Sequence, residues 1–130
     1  MSFRLTEAAD RDIERILQDT LELFGPYQFD AYSNLIQQAL DRVGADPQGP
    51  GTSKREDVGP GVRALRLETV ARRRGSASHS IYYLPPEDGR KSLSVVLRIL
   101  HDRMEPKHRV VSELLDDVQS DVDVPSGRKR

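Results

Sequence analysis

The chain has 130 residues, a formal net charge of −1 and charged side chains at 32% of its positions. That length builds one hydrophobic core but not two, and the absence of cysteine excludes a disulfide framework and leaves the cytosol as the default setting. No apolar run approaches membrane-spanning length, and Met1-Ser2-Phe3-Arg4 lacks the apolar stretch of a signal peptide, so a soluble cytoplasmic protein is expected. Charge is unevenly spread, with Lys54, Arg55, Arg63, Arg66, Arg72, Arg73 and Arg74 in one central stretch and Asp116, Asp117, Asp121 and Asp123 near the end. A local basic region attracts acidic partners even on a near-neutral chain, although a solvated surface of this charge density has the same pattern.

Phe3-Arg4-Leu5 is a short candidate strand, and Thr6 is placed to cap the helix after it by accepting a free backbone N–H. Ala9, Ile13, Ile16, Leu17, Leu21 and Phe24 recur at three- and four-residue spacing and form one helical face. Gly25 stops that helix and Pro26 suits the first turn of the next. The second helix carries its own stripe, Phe29, Tyr32, Leu35, Ile36, Ala39, Leu40 and Val43, closed by Gly44. So short a turn predicts an antiparallel helical hairpin. Residues 44–61 hold a density of Gly and Pro that predicts a long loop with no regular element.

Strand signals then cover 62–68, 79–84 and 93–101, with an Arg-rich loop after the first and a Pro-Pro-Glu-Asp-Gly turn between the last two. Beyond Pro106, the residues Val110, Val111, Leu114, Leu115 and Val118 return to helical spacing. Residues 119–130 read as a disordered tail. Two helices on one face of a mostly antiparallel sheet define an α+β fold, ordered β-α-α-β-β-β with an extra C-terminal helix. The divisions expected are a main domain at 1–109, a helical extension at 110–118 and the tail.

Val96-Leu97-Arg98-Ile99-Leu100-His101-Asp102-Arg103-Met104-Glu105 resembles the V-x-R-I-L-H-x-R-M-D ending of ParE-type toxins, within the RelE/ParE superfamily. Phe24-Gly25 followed by Gln28 and Tyr32, then Pro60-Gly61-Val62-Arg63, then His79-x-Ile81-Tyr82-Tyr83, follow in the matching order, so the resemblance covers roughly residues 3–109. It implies the toxin of a type II toxin–antitoxin pair that inhibits DNA gyrase by direct binding and is neutralised by a cognate antitoxin. Operator DNA would be reached only through that antitoxin, in a hetero-oligomer, with no membrane, cofactor or metal. The alternative is a RelE-type ribosome-dependent mRNA endoribonuclease, using His101 and arginines as acid–base and phosphate groups. RelE-like nucleases tend to carry a catalytic arginine just after the position matching His79, where this chain has Ser80. That departure favours a binding inhibitor, with no catalytic residue assigned.

A hairpin centred on the 85–91 turn puts Ile81 opposite Ile99 and Tyr83 opposite Leu97 against the helices. The opposite face then carries Tyr82 beside Arg98, flanked by Val96, Leu100, Ser80 and Leu84, and is expected to be partly apolar and open to a protein partner. Arg98 there either recognises a partner's carboxylate or phosphate or bonds a carboxylate within the chain. The candidate target- or antitoxin-binding residues are Arg63, Arg66, Tyr82, Arg98, His101 and Arg103. Arg63 and Arg66 are read as sharing one parity of their strand, in a basic strip. His79 and His101 should lie close together as packing histidines rather than metal ligands. The C-terminal helix covers part of the sheet or serves self-association, simple core packing being the plainer reading.

Overall fold

The computed structural model of the protein describes residues 3–72, 77–86 and 93–122, of which 116–122 are described for their backbone alone. Its elements are β1 (Phe3–Leu5), α1 (Glu7–Phe24), α2 (Pro26–Ala45), β2 (Thr52–Lys54), β3 (Arg63–Arg66), α3 (Leu67–Ala71), β4 (His79–Leu84), β5 (Ser94–His101) and α4 (Pro106–Val122). The expected α+β class and helical hairpin are both present.

Local chemistry explains the hairpin. The Thr6 hydroxyl accepts the Ala9 N–H at 3.0 Å, satisfying a donor the first helical turn leaves free. The same hydroxyl donates to the Leu97 carbonyl at 2.9 Å, which ties the start of α1 to β5. Gly25 sits at φ 90° and ψ 175°, a region that essentially only glycine enters. Its N–H closes α1 on the Leu21 carbonyl at 3.0 Å, and its carbonyl accepts from Phe29 N at 3.1 Å to open α2. Pro26 costs nothing at the first position of α2, where no helical acceptor exists for an N–H.

The five strands run in the order β1-β5-β4-β3-β2. β1 lies parallel to β5, and every other pair is antiparallel. β2 falls inside the stretch expected to have no regular element. It exists because Thr52, Ser53 and Lys54 pair with Leu65, Ala64 and Arg63, a contact between strands that breaker density within the loop does not report. The strand expected over 62–68 ends at Arg66, and Leu67 turns into the short α3 with its side chain fully buried. The C-terminal helix starts at Pro106 and continues to Val122, so the expected tail lies outside the described residues only from 123 onward. Arg73 and Arg74 of the basic loop, and 87–91 of the expected turn, also lie outside them.

The sheet carries apolar side chains on both faces, and each face is covered. Under the helical hairpin, Ala9, Ile16, Ile36, Leu40 and Val43 pack on Leu65, Ile81, Tyr83, Val96 and Ile99. On the opposite face, Val58, Val62 and Val110 pack on Ala64, Tyr82, Leu97 and Leu100. The open face expected from the sequence is therefore a second core, sealed by α4 and the segment before β3; the expectation of one core for this length is corrected, because a single sheet serves both. Tyr82 is 6% exposed, with the Arg55 guanidinium 5.7 Å from its ring centroid. Leu97 belongs to this second core because the β4–β5 register shifts between Tyr82 and Tyr83. Ile81 faces Ile99 as expected, but Tyr83 faces Val96, so Val96 takes the inner place expected for Leu97. A bulge of one residue reverses every side chain beyond it, and periodicity alone does not locate it.

Candidate functional site

β1 covers the edge of β5 only as far as Val96, while β5 continues to His101. The edge beyond Val96 is closed instead by the first turns of α1. Asp12 accepts the Ile99 N–H at 2.9 Å and holds the Arg98 guanidinium in a two-pronged ion pair, with Nε 2.7 Å and Nη2 2.8 Å from its two carboxylate oxygens. Both side chains are largely buried, Arg98 at 18% and Asp12 at 6% exposure. The Asp12 carboxylate, first by its hydrogen bonds, raises Arg98 above the ordinary guanidinium value. Of the two readings held open for Arg98, a bond to a carboxylate of its own chain is the one present.

Farther along, the face of α1 bearing Arg15, Asp19 and Leu23 stands away from the sheet. The end of β5 and the following turn, with His101, Arg103 and Met104, stand opposite. Between these banks lies a groove of about 640 Å³. It continues past Phe24 and His79 into a smaller recess of about 390 Å³ lined by Gln28 and Tyr32. The groove exists because buried positions in the hairpin stop at Ile16 on α1 and resume at Ile36 on α2. The hairpin tip thus stands clear of the core and leaves Leu23, Phe24 and Tyr27 at 72%, 68% and 80% exposure. Leu21 and Phe24 lie on the stripe expected to be core, yet the sheet does not extend beneath them.

A polar floor joins the banks. His79 pairs with His101 across β4 and β5, their ring centroids 5.2 Å apart and edge to face. The Tyr32 hydroxyl lies 2.8 Å from His79 Nδ1 and accepts from Ser78 N at 3.4 Å. His101 Nδ1 accepts the Arg103 N–H at 3.0 Å and thereby shapes the turn into α4. That backbone donor leaves the proton of a neutral His101 ring on Nε2. The expected proximity of the two histidines is present, and no group of three or more metal-ligating side chains occurs among the described residues. Burial pushes the Tyr32 phenol up.

Burial, and then the neighbouring His101, hold His79 below the ordinary value of 6.5. A base whose pKa is lowered on folding binds protons more readily when unfolded, so stability rises with pH between the folded and unfolded values. The protein is therefore expected to lose stability as pH falls through about 6.5, the loss becoming complete below the lowered folded value. Melting temperatures between about pH 7.5 and about pH 5 should fall less for His79→Gln than for the parent. Equal slopes would show that His79 is solvated.

Of the other predicted residues, His101 and Arg103 meet in the groove, and Arg98 lies at its inner end. Tyr82 lies within the second core. Arg63 and Arg66 do not form one strip, since a spacing of three places them on opposite faces of a strand. Arg63 sits across from Tyr83 and donates to the Thr52 hydroxyl at 2.7 Å, whereas Arg66 sits across from Ser80 and pairs with Glu68 at 3.1 Å and Asp102 at 3.6 Å. Ser80 is buried and donates to Asp102 at 2.9 Å. Residue reading missed Asp12, Arg15, Leu23 and Met104. The available signal was Leu23-Phe24 beside the helix stop, more apolar side chain than one stripe needs.

A two-helix hairpin on a mixed five-stranded sheet is the fold of a chain from a chromosomal ParDE toxin–antitoxin system of P. aeruginosa. That similarity has a TM-score of 0.57 at 22% identity and covers 78% of this chain and 95% of the other. The family model described as ParE toxin of type II toxin-antitoxin system, parDE, matches residues 3–106, so the chain belongs to the ParE toxin family. Proteins named Toxin ParE1, from two strains of Mycobacterium tuberculosis, are 29% identical over 103 residues, 79% of this chain and 91% of theirs.

Proposed function

We propose that this protein arrests bacterial growth by binding DNA gyrase, and that a cognate antitoxin neutralises it in a hetero-oligomer that alone carries it to operator DNA. The family match over residues 3–106 carries this reading. The surface supports it, because the grooved side presents exposed apolar and basic side chains suited to a macromolecular partner. The cytoplasm is the corresponding site of action. Among the described residues, no helix is long and apolar enough to cross a membrane.

Binding rather than RNA cleavage is favoured at one position. Where RelE-like nucleases tend to carry an arginine just after the position of His79, Ser80 is enclosed and committed to Asp102. Its hydroxyl can neither clamp a phosphate nor reach a substrate. Purified protein is expected to inhibit gyrase supercoiling and to leave ribosome-bound mRNA intact by primer extension. Cleavage at defined codons with supercoiling unaffected would reverse the assignment.

A further inference from the structure

The recess and the groove share a wall but differ in chemistry. Phe24 and His79 line both. The Phe24 ring is 68% exposed and meets no other aromatic ring among the described residues. Beside it the recess offers about 390 Å³, enough to take up a heteroaromatic ring. Its lining includes the Gln28 amide and the Ser78 hydroxyl, both exposed and neither hydrogen-bonded through its side chain among the described residues. Each can donate and accept, which suits the edge of a base that carries donors and acceptors side by side.

On the groove side, charge decides. Arg98 and Asp12 neutralise one another, which leaves Arg15, Arg103 and Arg109 against Asp19 among the lining residues. The whole chain carries −1, so this basic character is local. Arg15 and Arg103 are exposed, and their guanidinium groups have no acidic partner among the described residues. His101 accepts the Arg103 N–H on Nδ1 and so keeps its Nε2–H for a further acceptor. Such donors match phosphate oxygens. An uncovered aromatic face next to a separate set of phosphate-seeking donors is the combination that holds a single strand, since every base has a π-face and every link a phosphate. A base stacked inside a duplex does not offer that face.

We propose that the recess and the groove together bind an unpaired nucleic-acid strand. One base stacks on Phe24 in the recess, and the adjoining phosphates are held by Arg15, Arg103 and His101 in the groove. Such binding is independent of gyrase recognition.

Fluorescence anisotropy of the full chain with labelled adenine strands of about ten nucleotides, one DNA and one RNA, tests it. The companions are an abasic strand of equal length, the paired duplex and a poly-glutamate of equal charge. At least one adenine strand is expected to bind, and preference for DNA or RNA identifies the source of the nucleotide. The abasic strand and the duplex should each bind about tenfold more weakly or less. Phe24→Ser should weaken the adenine strand by about tenfold and leave the abasic strand unchanged, a selectivity that a merely structural Phe24 would not produce. With about two phosphates held, the slope of log affinity against log salt should be near about −1.4, and Arg15→Glu/Arg103→Glu should flatten it while weakening binding. Lys54→Glu on β2 should change nothing. All four side chains are exposed, and circular dichroism checks that each variant is folded. Failure of both adenine strands to bind would overturn the proposal. So would abasic, duplex or poly-glutamate probes that bind equally well, or affinity indifferent to Phe24→Ser or to Arg15→Glu/Arg103→Glu.

Discussion

Asp12→Ala is expected to lower stability by about 3–5 kcal/mol, the range found when one partner of a buried ion pair is removed. Two costs arise together. Arg98, 18% exposed, loses its two-pronged ion pair, and the Ile99 N–H loses its acceptor at the sheet edge. Arg98→Leu should cost less, because Asp12 keeps the Ile99 N–H. The double variant Asp12→Ala/Arg98→Leu should recover at least about 1 kcal/mol over Asp12→Ala, since no buried charge is then stranded. Urea denaturation midpoints with unchanged slopes measure all three. A loss below about 1 kcal/mol for Asp12→Ala would mean that the pair is solvated and contributes as a surface bridge does.

Val110→Asp should destabilise by about 4 kcal/mol or more, because it places a carboxylate where no solvent reaches. Val110 is 0% exposed and, with the half-buried Leu114, joins α4 to the second core over Tyr82, Leu97 and Leu100. Release of α4 would uncover that core, so binding of a hydrophobic dye should rise with the loss of stability. Leu115→Asp, five residues on at 60% exposure, should change stability by less than about 0.5 kcal/mol. Comparable losses for the two would mean that α4 does not pack through Val110.

Elements governed by near neighbours were legible from residue order. The Thr6 cap, the Gly25 stop, Pro26 at the start of α2 and the alternation of β4 each follow from a few adjacent residues, and each stands where expected. Features set by distant partners were not. Thr52–Lys54 becomes a strand because β3 lies beside it, and Leu97 changes face because β5 bulges. Arg98 was legible as an arginine on β5 across from Tyr82, but not as the partner of Asp12, from which 86 positions separate it. Six residues singled out as one binding set are divided by the fold. His101 and Arg103 share the groove, while Tyr82 is interior and Arg63 and Arg66 take opposite sides of β3. Alternation distinguishes the sides of a strand but does not say what will be laid over either one.

Because residues 21–24 of α1, about 6 Å of helix, and the first turn of α2 project past the packed interior, their outward side chains answer to almost no folding constraint. Leu23, Phe24 and Tyr27 are therefore free to drift in evolution while the protein's thermal stability stays level. Paralogues within one genome could part company in whom they bind by changing this projecting end, without renegotiating the interior that they share.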